Sequence, residues 1–166
     1  APMLNELDTR LLRRAIALAG AARTRGDRPF AAVIAGPDGT VLAEAGSTQG
    51  SSGGGTLAHS EMNALTALLA TGTPRAVVRR ATMYSSGEPC AMCAAAAFYA
   101  GVGRVVYGLS AGAILHLRNA QPHTAGLSLS CRAVLDAAAE PVAVIGPCLE
   151  DEAAIPHQGY WTEGAA

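Results

Sequence analysis

The chain contains no lysine, only four cysteines and no basic excess: among its 166 residues the formal net charge is -1. A protein that grips nucleic-acid phosphates usually carries a basic patch or stripe, so the charge disfavours a nucleic-acid partner. Four cysteines in a chain of this length do not make a disulfide scaffold, which favours a reducing, cytoplasmic location. Half of the residues are hydrophobic and 15% are charged, which is typical of a globular protein and excludes a disordered one.

Long hydrophobic runs are also absent. No stretch of about 20 apolar residues occurs, so we expect no membrane-spanning helix. The first residues lack the basic region, apolar stretch and small-residue cleavage site of a secretory signal. The length suits one domain with a substantial core, and no internal repeat is visible. We therefore expect a single domain over residues 1–166.

Two short motifs bring together residue types that bind metals and move protons. They are His-Ser-Glu at 59–61 and Pro-Cys-Ala-Met-Cys at 89–93. Two cysteines three positions apart can close on one metal ion, and zinc accepts a histidine nitrogen together with cysteine sulfur. Three protein ligands leave the fourth tetrahedral position open for water, which marks a catalytic site. We therefore predict one zinc ion per chain, bound by His59, Cys90 and Cys93.

The same two motifs indicate a reaction. His-x-Glu followed by Pro-Cys-x-x-Cys is the known signature of zinc nucleobase deaminases. The chain resembles the cytidine-deaminase-like superfamily, most of all its nucleobase and nucleoside deaminases and its tRNA adenosine deaminases. The resemblance rests on residues 59–65, 83–93 and 100–108, and extends more weakly from the first helix to residue 108. It implies that Glu61 is the catalytic proton carrier.

The resemblance also implies an architecture. The expected fold is a three-layer α/β/α sandwich with a mixed five-stranded sheet, and the alternation of predicted helices and strands agrees with it. Helices are predicted at 5–25, from 56 or 58 to about 70, at 90–100, 110–117 and 149–154. Strands are predicted at 30–36, 41–45, 81–85, 102–107 and 142–145. Members of the superfamily are usually dimers or larger, so a homodimer is expected.

Two other functions of a Cys-x-x-Cys pair fit this sequence less well. A structural zinc site needs a fourth side chain, and none follows at a suitable spacing. A redox pair would leave His59 and Glu61 unexplained. The predicted start of a helix at Cys90 favours the thiolate form that binds zinc, because a helix N-terminus carries partial positive charge.

Three candidate substrate contacts lie before or within the motifs. Phe30 belongs to a stretch that matches the family, with a place in the core as the alternative. Ser47 opens a Gly/Ser-rich segment, 47–56, that leads to His59. Guanine and tRNA adenosine deaminases usually have an asparagine near this position, and Ser47 would replace it only weakly. Glu88 adjoins the peptide groups that help to hold substrate in the family.

Three further candidates lie towards the end of the chain. His123 stands in a segment predicted to be irregular, 118–130, where the family places substrate contacts; a surface loop is the alternative. Tyr160 and Trp161 could form a stacking lid over the pocket, or could pack in the core or an interface.

The leading hypothesis is a hydrolytic deaminase that releases ammonia from a small nucleobase-like substrate: a free nucleobase, a nucleoside or a related aminated heterocycle. The missing asparagine and the absence of an acidic residue between Gly108 and Asp136 weaken a strict guanine specificity, so a modified purine, a cytosine-like ring or a triazine stays open. One alternative is a tRNA adenosine deaminase, disfavoured because no Lys or Arg follows Asp136. Another is a non-catalytic zinc-binding scaffold, which the presence of Glu61 disfavours.

Overall fold

The helices and strands follow the predicted order in the computed structural model, which describes residues 4–119 and 126–161. The helices are α1 (Glu6–Thr24), α2 (Ser60–Ala70), α3 (Arg75–Val78), α4 (Ala91–Ala100), α5 (Ala111–Leu117), α6 (Cys131–Asp136) and α7 (Glu150–Ala154), with a 3-10 turn at Ile155–His157. The strands are β1 (Ala31–Ala35), β2 (Val41–Gly46), β3 (Thr82–Gly87), β4 (Arg104–Leu109) and β5 (Ala143–Ile145). The short helices α3 and α6 were not predicted.

The strands form one mixed five-stranded sheet in the order β2-β1-β3-β4-β5. Strand β1 is antiparallel to both β2 and β3, whereas β3, β4 and β5 run parallel. Helix α1 covers one face, and α2 and α4 cover the other. The predicted α/β/α sandwich is thereby confirmed.

The central strands are buried on both faces because each face has its own helices. In β1, Val33 and Ala35 pack with α1, while Ala32 and Ile34 pack towards α2 and α4. Strand residues alternate in this way because successive side chains point to opposite sides of a sheet. The continuous apolar character of β1 therefore reflects two cores.

The starts of two helices differ from the prediction. Helix α2 begins at Ser60, and His59 is its N-cap residue with extended backbone, φ -64° and ψ 151°, instead of lying in the first turn. Cys90 is likewise the N-cap of α4, not its first residue. Leu69 is 59% exposed, because the buried face of α2 passes through Leu65 and Leu68.

Helix α1 is fixed at its start by a capping box in which Asn5 and Asp8 bond each other's backbone N–H. Asp8 also accepts hydrogen bonds from Tyr84 Oη at 2.7 Å and from both terminal nitrogens of Arg104, at 2.7 and 2.8 Å. This buried cluster ties α1 to β3 and β4. Within the described ranges, none of the helices is both long and apolar enough to cross a bilayer.

Candidate active site

Three ligand atoms converge where α2 and α4 begin on the same side of the sheet. His59 Nδ1 lies 3.6 Å from Cys90 Sγ and 3.5 Å from Cys93 Sγ. All three ligand atoms lie within 4.8 Å of one another. His59 and Cys90 are the N-cap residues of these helices and have extended backbone, so their side chains lie at the helix ends. The sulfur and nitrogen donors of this cluster suit zinc.

The pKa values of the two cysteine thiols shift in opposite directions. The hydrogen bond from Cys93 and the neighbouring His59 lower the pKa of the Cys90 thiol to about 4. The same bond and burial raise the pKa of Cys93. The hydrogen bond with Cys90 raises the pKa of His59, while the charge of Arg28 lowers it to a smaller extent. A metal ion takes cysteine as thiolate and histidine as neutral imidazole, so binding releases protons from this cluster.

Glu61 lies beside the cluster, in the first turn of α2, and is 5% exposed. Its Oε1 accepts a hydrogen bond from Ser85 Oγ at 2.5 Å. Burial raises the pKa of Glu61, and the bond from Ser85 partly opposes that increase. A raised pKa makes this carboxylate a better proton acceptor, which suits it to carry a proton during a reaction.

Ser85 is a residue of the site whose role the sequence analysis missed. It and Ser86 are adjacent in β3 and fully buried, but they face opposite sides of the sheet. Ser85 bonds Glu61, whereas Ser86 Oγ accepts a hydrogen bond from the backbone N–H of Ala31 at 3.0 Å. Strand alternation just before the Gly-Glu-Pro-Cys run was the available signal, because the residue facing α2 must be the one that meets Glu61.

Glu88 has both carboxylate oxygens occupied by backbone groups. Oε1 accepts from the N–H of Ala111 at 3.1 Å, and Oε2 accepts from the N–H of Cys131 at 3.2 Å. These groups are the first residues of α5 and α6, so Glu88 holds the starts of two helices next to Cys90. Negative charge at helix N-termini is favourable because it complements their dipoles.

The segment 47–56, which leads to His59, is held at its base. Ser47 is buried, and its Oγ accepts from the backbone N–H of Gln49 at 3.1 Å. Asp27, also buried, accepts from the backbone N–H of Ser52 at 2.9 Å and from its Oγ at 2.5 Å. The Ser52 bonds and the nearby Arg25 keep the pKa of Asp27 below its usual value.

Four aromatic rings cluster near the end of the described chain: Phe30, His157, Tyr160 and Trp161. Phe30 meets His157 edge-on at 5.1 Å, and a Cβ added at Gly87, at the end of β3, would lie 3.2 Å from the Phe30 ring. Trp161 Nε1 donates to His157 Nδ1 at 2.9 Å, and Tyr160 packs against Trp161. His157 is 2% exposed, and burial lowers its pKa to about 4.

An open groove of about 540 Å³ borders these aromatic residues. Arg28, Gln49, Thr56 and Tyr160 contribute side chains to its walls, and glycines of the 47–56 segment complete it. Thr56 stands three residues before His59 in sequence, but neither the metal-ligand residues nor Glu61 line this groove. His123 lies outside the described residues.

Comparisons with known proteins agree with this geometry. A family model described as the cytidine and deoxycytidylate deaminase zinc-binding region matches residues 5–109. A probable cytosine deaminase of Schizosaccharomyces pombe is 36% identical over 161 residues, covering 97% of this chain and 96% of that protein.

Solved structures give the same answer for the fold. One from a study of tRNA:A34 deaminases is 26% identical with a TM-score of 0.68, covering 89% of this chain and 99% of that chain. A guanine deaminase from Bacillus subtilis is 26% identical with a TM-score of 0.57, covering 68% and 69%. A protein solved with 8-azaguanine is 20% identical with a TM-score of 0.77, covering 95% and 85%, and supports the fold alone.

Fold, ligand cluster and buried glutamate together define a zinc-dependent hydrolytic deaminase. The chain belongs to the cytidine and deoxycytidylate deaminase family, whose zinc-binding region accounts for most of its length.

Proposed function

We propose that this enzyme hydrolyses the exocyclic amino group of a nucleobase ring and releases ammonia, with cytosine as the first ring to test. The observation that carries the proposal is the position of buried Glu61 beside the cluster of His59, Cys90 and Cys93. The near full-length identity of 36% to a probable cytosine deaminase supports the choice of ring. A guanine-like ring comes second, supported by the likeness to the guanine deaminase.

His59, Cys90 and Cys93 would hold the zinc ion. Zinc, when bound, acts as a Lewis acid that makes hydroxide available near neutral pH. Glu61 accepts one proton from the attacking water and delivers it to the ring nitrogen. It then accepts the remaining proton of the added hydroxyl and delivers it to the departing amine. Ser85 fixes the carboxylate of Glu61 during these transfers through its 2.5 Å hydrogen bond. Water adds to the ring carbon, the carbon–nitrogen bond breaks, and the products are a carbonyl and ammonia.

The likeness to tRNA:A34 deaminases does not favour a tRNA substrate for this chain. The formal net charge is -1, and residues 137–166 contain no Lys or Arg. Phosphate contacts supply much of the affinity for a nucleic acid, so a large RNA would be bound weakly.

Ammonia release by the zinc-loaded protein tests the proposal. The panel is cytosine, guanine, adenine, isoguanine, aminotriazines and an anticodon stem-loop RNA. We expect turnover of one of the small rings, with cytosine first. Turnover of the RNA alone would overturn the small-ring substrate, and no ammonia from any compound would overturn the proposed function.

We also propose a homodimer. Leu57, Leu69 and Tyr99 are 67%, 59% and 79% exposed, which supports burial of apolar side chains against a second copy. Sedimentation equilibrium at micromolar concentration should give twice the chain mass, and a single-chain mass would contradict the proposal.

A further inference from the structure

The ring of His59 is held differently from that of most metal-binding histidines. Such a ring is generally oriented by a hydrogen bond from its second nitrogen to a carboxylate, a carbonyl or water. His59 turns Nδ1 towards the sulfur atoms of Cys90 and Cys93. Among residues 4–119 and 126–161, no group of the protein forms a hydrogen bond with His59 Nε2. The position of this ligand therefore depends on how the backbone on either side of it is held.

The side-chain amide of Asn63, in helix α2, holds that backbone. Its Nδ2 donates to the carbonyl of Ala58, the residue before His59, at 3.4 Å. It also donates to the carbonyl of Gly46 at 3.1 Å and to Thr48 Oγ1 at 3.0 Å. The backbone N–H of Asn63 donates to the carbonyl of His59 at 2.9 Å. Asn63 thus bonds the chain both before the ligand and at the ligand itself.

The orientation of the amide follows from the chemistry of its partners. Carbonyl oxygens only accept hydrogen bonds, so the group that faces Gly46 and Ala58 must be the donating NH₂ and not the amide oxygen. Thr48 bonds Ala58 as well, through its backbone N–H at 3.1 Å. The end of β2 and the peptide before His59 are therefore joined through one NH₂ group, whose two protons are shared by three acceptors.

Helix stability does not explain an amide at this position. Asparagine is a poor residue for the interior of a helix, because its side chain competes for backbone hydrogen bonds. Asn63 is half-buried in α2, whose buried residues include Ala64, Leu65 and Leu68. A leucine of similar shape would suit both the helix and the apolar neighbours better. The donor group of Asn63 therefore points to a role in its three side-chain hydrogen bonds.

We propose that Asn63 is a positioning residue for the metal site: its amide holds the peptide before His59 so that Nδ1 meets Cys90 and Cys93. The inference rests on the zinc-dependent reaction proposed above, because it takes His59 as a zinc ligand. Groups that hydrogen-bond a metal ligand typically contribute about 10- to 100-fold to metal affinity. Asn63 acts on the same ligand through the backbone, so the effect of its loss should fall within this range.

Retention of zinc against a competing chelator is the first test. Asn63→Leu keeps the approximate shape without the donor, and Asn63→Asp places a carboxylate against two carbonyl oxygens. Asn119→Asp is the matched control, because it makes the same change at an exposed residue. We expect the zinc Kd to rise about 10-fold in Asn63→Leu and about 100-fold in Asn63→Asp, and to be unchanged in Asn119→Asp. A wild-type zinc Kd in both Asn63 variants would overturn the proposal.

Unfolding in urea distinguishes positioning from a merely structural role. A structural role would lower the urea midpoint of the zinc-saturated protein and leave the zinc Kd of the folded protein unchanged. That pattern would overturn the proposal, whereas a raised zinc Kd in protein that remains folded supports it. Asn63→Leu keeps the test decisive if Asn63→Asp does not fold, because leucine is favoured in helices.

Turnover separates this inference from the proposed function. Asn63→Leu should lose activity in limiting zinc and regain most of it in excess zinc, because Ser85 holds Glu61 independently of the Asn63 amide. Activity that stays low at full zinc content would overturn the positioning role. If the wild type turns over no ring but its zinc Kd responds to the Asn63 substitutions, the proposed function fails and the role of Asn63 stands. If the wild type releases ammonia and the substitutions leave the zinc Kd unchanged, only the role of Asn63 fails.

Discussion

Two buried carboxylates lie on opposite faces of strand β3, and adjacent residues of that strand bond them. Tyr84 donates to Asp8 at 2.7 Å on the α1 face, and Ser85 donates to Glu61 at 2.5 Å on the α2 face. Both carboxylates are nearly inaccessible, with 2% and 5% of their surface exposed. Their solvent exposure is similar, but their hydrogen-bond partners differ.

Arg104 makes that difference. Its hydrogen bonds, together with that of Tyr84, lower the pKa of Asp8 to about 2 despite burial. Glu61 has no arginine partner among the described residues, and burial raises its pKa. A paired buried carboxylate stays ionised and stabilises the fold, whereas one without a cation can exchange a proton. The carboxylate on the α1 face of the sheet is therefore suited to stabilise the fold, and the carboxylate on the α2 face is suited to transfer protons.

Loss of a metal ligand should have the largest effect on the chemical face. We expect Cys93→Ser to lower both zinc affinity and activity by more than about 10- to 100-fold. That range is the typical cost of removing only a residue that hydrogen-bonds a metal ligand. Cys148→Ser is the matched control, because Cys148 lies outside the ligand cluster, and it should retain one zinc per chain. Zinc content by atomic absorption checks both, and a full zinc complement in Cys93→Ser would contradict the ligand assignment.

Removal of the charge on Asp8 should destabilise the fold on the α1 face of the sheet. Asp8→Asn leaves Arg104 without its partner, so we expect the free energy of unfolding to fall by about 3–5 kcal/mol. Asp136→Asn, at an exposed end of α6, should change it by less than about 0.5 kcal/mol. Urea denaturation measures both variants. Equal stability of Asp8→Asn and the wild type would show that the Asp8–Arg104 pair does not stabilise the fold.

The pH dependence of stability should show two separate decreases. In the folded state the pKa of His157 is about 4, below its ordinary 6.5. The neutral buried ring therefore contributes fully to the free energy of unfolding above pH 6.5. This contribution, about 3 kcal/mol, is lost as the pH falls to about 4. Asp8 has a folded pKa of about 2 against 3.8, so its contribution of about 2 kcal/mol is lost below pH 4. In chemical denaturation at each pH, His157→Phe should abolish the upper decrease. Asp8→Asn should reduce the lower one, to which the lowered pKa of Asp27 also contributes. An upper decrease that persists in His157→Phe would rule out this assignment.

Substitutions of the adjacent serines Ser85 and Ser86 should have the smallest effects. Ser85→Ala removes the hydrogen bond to Glu61 and should lower kcat about tenfold with little change in KM. Ser86→Ala removes a bond to the backbone of Ala31 and should reduce stability without a change in kcat. Steady-state kinetics on the folded variants decides; equal kcat values would mean that Ser85 does not position Glu61.

The sequence was sufficient for the positions of the strands and for the metal-ligand residues, because short sequence patterns mark both. Apolar runs bounded by turns located the strands, and Cys-x-x-Cys with His-x-Glu located the residues that meet at the helix ends. The predicted starts of α2 and α4 were wrong by one residue or more. The N-cap residues of these helices are His59 and Cys90, and neither makes the usual side-chain cap hydrogen bond.

The features that the sequence did not predict depend on contacts between residues far apart in the chain. Nothing near Asp8 in sequence indicates Arg104 or Tyr84, which lie 96 and 76 residues away. The burial of His157 requires Phe30 and Trp161 on either side. Such sites become visible only when the topology brings the segments together.

The most direct test of the contrast between the carboxylates is ammonia release by three zinc-loaded proteins, compared at equal concentration of folded, metal-bound enzyme on the preferred ring. We expect Glu61→Gln to retain zinc but to lose about 100- to 10,000-fold in kcat, and Asp8→Asn to keep a kcat near that of the wild type. Near-normal turnover by Glu61→Gln, or an equal loss in both variants, would contradict this contrast.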